Sequence, residues 1–192
     1  MPKTDNPRRL PADLPEPADD GPADHLPGTL VPPVSLPSTG GGRVDLSTFS
    51  GTTVACCYPM TGRPDREIPE GWDSIPGARG CTPQSCSFRD HHEELRGLGA
   101  RVFGLSTQAT EFEQEAAGRL HLPFELLSDH NLAFAKKVGL PTFEVEGEKL
   151  TKRLTMVSED GRVEKVFYPV FPPNESARRV FEWHSAPRRV ER

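Results

Sequence analysis

Gly80-Cys81-Thr82-Pro83-Gln84-Ser85-Cys86-Ser87-Phe88-Arg89-Asp90 reads as the opening turns of a helix that carries two cysteines five residues apart. Gly80 is permissive just outside a helix, and Pro83 is tolerated only in a first turn, where its missing N–H costs nothing. Cys81 therefore stands at the helix N-terminus. There the unpaired N–H groups and the positive end of the macrodipole favour thiolate over thiol, and the thiolate is the nucleophile. Residues seven apart lie almost one above another, so Cys81, Phe88 and Leu95 share an inward face. Cys86 falls with Arg89, Asp90 and Glu93 on a side expected to face water. An intact helix holds Cα atoms five residues apart at roughly 8.7 Å, whereas a disulfide takes about 4.4 to 6.8 Å. The two sulfurs bond only if the first turn or two unwinds, which suits a transient catalytic bond better than a structural one.

Outward from this helix, expected to run over 81–98 and to close at Gly97 and Gly99, strands and helices alternate. Strands are expected at 31–36, 43–46, 52–58, 101–106, 124–128, 143–150, 152–158 and 162–167. Helices are expected at 109–120, with Phe112, Ala116, Ala117 and Leu120 near one face, at 131–138 and at 175–183. This order predicts an α/β fold with a mixed central sheet flanked by helices on both faces.

The chain of 192 residues has room for one domain and a tail. Its apolar fraction of 34% and its 21 prolines point to a part that does not fold. Residues 1–28 hold seven of those prolines and no apolar period, and are expected to be a disordered arm. The domain spans 29–185, interrupted by a polar, Gly/Pro-rich insert at 62–80, either a lid over a pocket or a surface loop; 186–192 form a tail. A net charge of -5 gives no footprint for nucleic acid or an anionic membrane. No apolar run approaches the roughly 20 residues of a membrane span, and the N-terminus lacks the apolar core of a secretory signal, so a cytoplasmic location is expected. Four cysteines, Cys56, Cys57, Cys81 and Cys86, are too few for a disulfide scaffold. Cys56 and Cys57 are neighbours on a strand and point to opposite faces, so they cannot easily converge on one zinc ion, and no metal or bound cofactor is expected.

The stretch from Gly80 to Asp90 resembles the active-site helix of the peroxiredoxins, in the bacterioferritin-comigratory or Q-type branch of the AhpC-TSA/redoxin family. The similarity extends over about residues 30–183 and takes in Phe103-Gly104-Leu105-Ser106-Thr107 and Leu126-Leu127-Ser128-Asp129. It implies a thioredoxin-like fold, with Cys81 as the peroxidatic cysteine and Cys86 as the resolving one. Arg153, in Lys152-Arg153-Leu154-Thr155, falls where the family has its thiolate-stabilising arginine. Pro59 matches the proline of the family's Pro-x-x-x-Thr-x-x-Cys motif. The spacing departs from that motif: Cys81 follows Pro59 by 22 positions instead of seven, and Ala78 stands where the threonine should be. Thr61 is the candidate to fold back and supply the missing hydroxyl.

The resemblance implies a thiol-dependent peroxidase acting on hydrogen peroxide and organic hydroperoxides, reduced by thioredoxin or another dithiol, as a monomer or weak dimer. Two alternatives stay open, a non-turnover redox sensor and a thiol–disulfide oxidoreductase, the latter weakened by the lack of Cys-x-x-Cys. Cys56 or Cys57 is an alternative resolver if Cys86 does not serve.

Overall fold

The computed structural model describes residues 9–187. A short hairpin of β1 (Ser35–Pro37) and β2 (Arg43–Asp45) leads into β3 (Thr52–Cys57), buried along its whole length. After the insert come α1 (Cys81–Asp90) and α2 (His92–Gly97), then β4 (Arg101–Ser106), α3 (Thr110–Leu120), β5 (Glu125–Ser128) and α4 (Ala133–Val138). The chain finishes with β6 (Thr142–Val145), β7 (Glu148–Thr151), β8 (Leu154–Glu159), β9 (Arg162–Phe167) and α5 (Ser176–Ser185). The main sheet has the order β5-β4-β3-β8-β9. β3, β4 and β5 run parallel, while β8 is antiparallel to both β3 and β9, which makes the sheet mixed as expected.

Strands with helices on both sides must be apolar on both faces, and β3 shows this in neighbouring residues. Cys57 belongs to one core with Phe103, Leu127 and Phe134, under α4. Cys56 belongs to the other with Phe88, Leu95, Ala116 and Val180, under α1, α2, α3 and α5. Asp129 fixes the entry to α4 by accepting from the N–H groups of Phe134 and Ala135 at 3.0 and 2.8 Å, satisfying donors that the first turn leaves open.

Several expectations are corrected. The long helix is two: His91 leaves helical geometry at φ -100°, ψ 9°, although Leu95 in α2 keeps the inward face of Phe88. The turn expected at Glu146-Gly147 is present, both residues taking positive φ as a type I′ turn requires, but it divides the strand expected at 143–150 into a separate hairpin of β6 and β7. In α3 the buried residues are Glu113, Ala116 and Leu120, and Phe112 turns outward, where the guanidinium carbons of Arg63 and Arg66 lie 5.3 and 4.9 Å from its ring centroid.

The arm expected to be disordered is packed across residues 9–28. Ala23 and Leu26 are buried in the core under α4, the Gly28 N–H donates to the Val163 carbonyl at 2.7 Å, and His25 Nε2 lies 3.2 Å from the Val138 carbonyl. Two apolar side chains seated in a preformed core offset the ordering of a proline-stiffened segment. Residues 1–8 of that arm and 188–192 of the tail lie outside the described residues. Among the described residues no helix is long and apolar enough to cross a membrane.

Candidate active site

Cys81 opens α1 with Gly80 as its N-cap residue at φ 116°. A side chain could not stand there, since a Cβ on Gly80 would lie 2.3 Å from Pro173 Cγ and 3.2 Å from Leu10 Cδ2. The glycine thus lets a C-terminal turn and the N-terminal segment close over the helix start. The Cys81 side chain is consequently 4% exposed.

Arg153, between β7 and β8, reaches this sulfur from the sheet. Its Nη2 lies 3.2 Å from Cys81 Sγ and 3.0 Å from the Ala78 carbonyl, with the Gly77 carbonyl at 3.4 Å. Its Nη1 donates to Gln84 Oε1 at 2.5 Å. Arg153 is 3% exposed, and a permanently charged, planar fork held by three carbonyl-type acceptors is oriented toward the sulfur. Arg153 Nε and Gln84 Nε2 are both buried with no hydrogen-bond partner. The reading of the sequence did not single out Gln84. Its signal was the position itself, one turn beyond Cys81 on the same side of the helix.

The insert delivers the two carbonyls. Trp72 is buried within it and packs on Phe143 with ring centroids 6.2 Å apart, next to Ala78 and Leu150. The insert is therefore anchored on the β6–β7 hairpin by a small core of its own. Its last residues place the Gly77 and Ala78 carbonyls at the guanidinium.

Thr61 is elsewhere. Its hydroxyl donates to Gln108 Oε1 at 3.2 Å, its N–H donates to the same oxygen at 2.8 Å, and Gln108 Nε2 donates back to the Thr61 carbonyl. It lines a cleft of about 960 Å³ with Arg66, Phe112 and Glu148. Local pairing has taken up the hydroxyl, and the structure does not bring Thr61 to Cys81. Pro59 is buried two residues beyond the end of β3.

Cys86 is not turned to water. It is 8% exposed, because residues 81–88 of α1 are all buried. The turn Pro173–Glu175 and α5 cover the helix, with the Ala177 N–H donating to Ser87 Oγ at 3.3 Å. All four cysteines are free thiols. Burial pushes the Cys56 thiol up to about 12 and Cys57 higher still, so both are held as thiols at neutral pH.

A cysteine sulfur at the start of a helix, enclosed by backbone and facing a buried guanidinium on a thioredoxin-like sheet, defines a thiol-based oxidoreductase. The profile of the Redoxin family matches residues 26–181, and the chain belongs to that family, in the Q/Bcp branch of the peroxiredoxins. It is 32% identical over 149 residues to "Peroxiredoxin Q, chloroplastic" of Sedum lineare, covering 77% of this chain and 72% of the relative. It is 31% identical over 150 residues to "Peroxiredoxin Bcp" of Escherichia coli (strain K12), covering 73% and 83%. The crystal structure of peroxidoxin BcpB from Mycobacterium tuberculosis matches with a TM-score of 0.69 at 25% identity, over 85% of this chain and 98% of that one. Peroxiredoxin Q of Xanthomonas campestris shares the fold with a TM-score of 0.63 at 21% identity, over 83% and 94%. The chain is accordingly a thiol-dependent peroxidase, an oxidoreductase with a peroxide substrate and a thiol reductant.

Proposed function

We propose that this protein reduces hydrogen peroxide and organic hydroperoxides through Cys81, with Cys86 as the resolving thiol and thioredoxin or a similar cytoplasmic dithiol as the reductant. The observation that carries the reading is the 3.2 Å approach of Arg153 Nη2 to Cys81 Sγ. A Cys81 thiolate paired with that charge attacks the nearer peroxide oxygen. The S–O bond forms as the O–O bond breaks, the sulfur is oxidised by two electrons to sulfenic acid, and the alkoxide or hydroxide leaves and takes up a proton. Arg153 and the N–H groups of the first helical turn face the charge that develops on the departing oxygen. The first turns of α1 then unwind, the Cys86 thiolate displaces hydroxide from the sulfenic sulfur, and an external dithiol reduces the resulting disulfide. Thr61 has no part in this scheme, since its hydroxyl is bound to Gln108.

The test is steady-state peroxide consumption with thioredoxin, thioredoxin reductase and NADPH. Multiple turnovers are expected, with none in Cys81→Ser. Cys86→Ser should accumulate a Cys81 sulfenic acid visible by mass spectrometry. Undiminished turnover in Cys81→Ser overturns the assignment, and a single oxidation event without turnover points to a sensor.

A further inference from the structure

Residues 10–20 of the N-terminal segment lie across the site that Arg153 and Cys81 share. Leu10 reaches the glycine in front of Cys81, where its Cδ2 would meet a Cβ on Gly80 at 3.2 Å. Pro17 sits over Gly77, with its Cβ 3.4 Å from where a Gly77 Cβ would be. Asp20 ties the segment down from two directions: the Tyr168 hydroxyl donates to Oδ1 at 3.3 Å, and Lys152 Nζ lies 3.8 Å from Oδ2. Between this strap and the body of the domain is a chamber of about 290 Å³. Its apolar walls include Pro17 and Ala18 from the strap, Ile75 from the insert, Phe143 from β6, and Tyr168 and Val170 from the loop after β9. Arg153 also lines it, along with Gly77, whose carbonyl accepts from the guanidinium.

The chamber is therefore lined by the arginine whose guanidinium approaches the Cys81 sulfur. A chamber at the small end of the range for ligand sites, walled by aliphatic and aromatic groups with polar groups at the rim, takes a small apolar body and repays it by burial. Hydrogen peroxide has no such body, so its passage draws nothing from these walls.

We propose that the N-terminal strap is a wall of the active site that determines specificity, and that the chamber it closes with Ile75, Phe143, Tyr168 and Val170 holds the organic tail of a hydroperoxide while the O–O group lies along Arg153. This rests on the peroxidase reading and adds to it the segment that selects the substrate. Ala18 is the residue to test, because it lines the chamber and is itself exposed to solvent. A large side chain there fills space without disturbing the buried anchors Ala23 and Leu26.

In Ala18→Trp the ratio of kcat/KM for cumene hydroperoxide to kcat/KM for hydrogen peroxide should fall about tenfold or more, as steric rejection of a tail by an apolar pocket gives. An unchanged ratio overturns the proposal. A second measurement stands apart from turnover: saturation-transfer NMR with cumyl alcohol on the reduced full-length protein. Transfer to the alcohol is expected with the unmodified chain and should be lost in Ala18→Trp, whereas its absence with the unmodified chain overturns the chamber assignment. If the unmodified chain consumes neither hydroperoxide, the peroxidase reading fails, and the alcohol measurement still decides the chamber.

Discussion

Arg153 Nη2 lies 3.2 Å from Cys81 Sγ across 72 positions of sequence, and the same guanidinium is held by Gln84, Gly77 and Ala78, all within four residues of that cysteine. The arginine and the helix start thus form one unit, fixed by a fork with several donors. Arg153→Lys keeps a charge but loses the planar fork, and cannot meet Gln84, the carbonyls and the sulfur together. In the proposed mechanism Arg153→Ala removes the charge that faces the departing oxygen, and it should lower kcat/KM for hydrogen peroxide about 10²- to 10³-fold. Arg153→Lys should fall between this and the unmodified chain. Stopped-flow oxidation of Cys81 checks both, and an Arg153→Ala variant with full oxidation rate would remove the arginine from the chemistry.

The contact between Gly80 and Pro173 sets how firmly the start of α1 is held. With φ at 116° and Pro173 Cγ 2.3 Å from the place a Cβ would occupy, Gly80→Ala is strained in backbone and in packing. The expected cost is about 1–3 kcal/mol for the backbone conformation alone, read as a lowered midpoint in denaturant unfolding. An equal or higher midpoint would show that the turn Pro173–Glu175 yields without cost.

Glu113 gives the fold a pH dependence that its helix pattern hides. The carboxyl is fully buried on α3, where the Ser106 hydroxyl donates to Oε1 at 2.8 Å and the Tyr58 hydroxyl lies 3.4 Å away, and Oε2 has no partner. Burial raises its pKa from 4.5 to about 8. Folding therefore favours the protonated form, so this contribution to stability is complete below about pH 4.5 and is lost as the pH rises through about 8. Within that window the slope is about 1.4 kcal/mol per pH unit. Glu113→Gln keeps an acceptor for Ser106 and has no proton to lose. Urea unfolding at pH 5 and pH 8.5 should show the difference between the two pH values shrinking in this variant, with the variant the more stable at pH 8.5. Parallel pH profiles would place the ionised carboxylate in the native state at no cost.

The parts of this molecule that were legible in the sequence rest on local rules. Gly80 and Pro83 mark a helix start wherever they fall, the seven-residue spacing of Cys81, Phe88 and Leu95 survives even the break at His91, and the adjacent Cys56 and Cys57 must part to opposite faces of β3. The hidden parts depend on what the chain does far away. Cys86 has polar neighbours along its helix and is buried only because residues 173–177 fold over that side. The first 28 residues read as disordered by proline content, yet the apolar pair Ala23 and Leu26, three apart, was the signal that something docks. Glu113 is polar by type, and the hydroxyls of Tyr58 and Ser106, both from outside α3, make its inward position tolerable. Thr61 was assigned by what the site lacked. Its partner Gln108, 47 residues away, could not be read from the spacing.

That partner leads to a sharp expectation for Thr61→Val. Three hydrogen bonds join Thr61 to Gln108, and two of them use the Thr61 backbone N–H and carbonyl. The substitution deletes only the hydroxyl bond of 3.2 Å, leaves Gln108 Oε1 satisfied by the N–H, and preserves the side-chain shape. The loss of stability should be about 1 kcal/mol or less, and kcat/KM for hydrogen peroxide should be unchanged, because the hydroxyl is not at the sulfur. In a site of the family's usual spacing the equivalent change would strip a donor from the peroxide. A tenfold fall in kcat/KM with unaltered stability would mean that the 62–80 insert swings during turnover and carries Thr61 to Cys81. An unchanged value leaves the Arg153 guanidinium and the amides of the first helical turn as the groups that bind the peroxide oxygens.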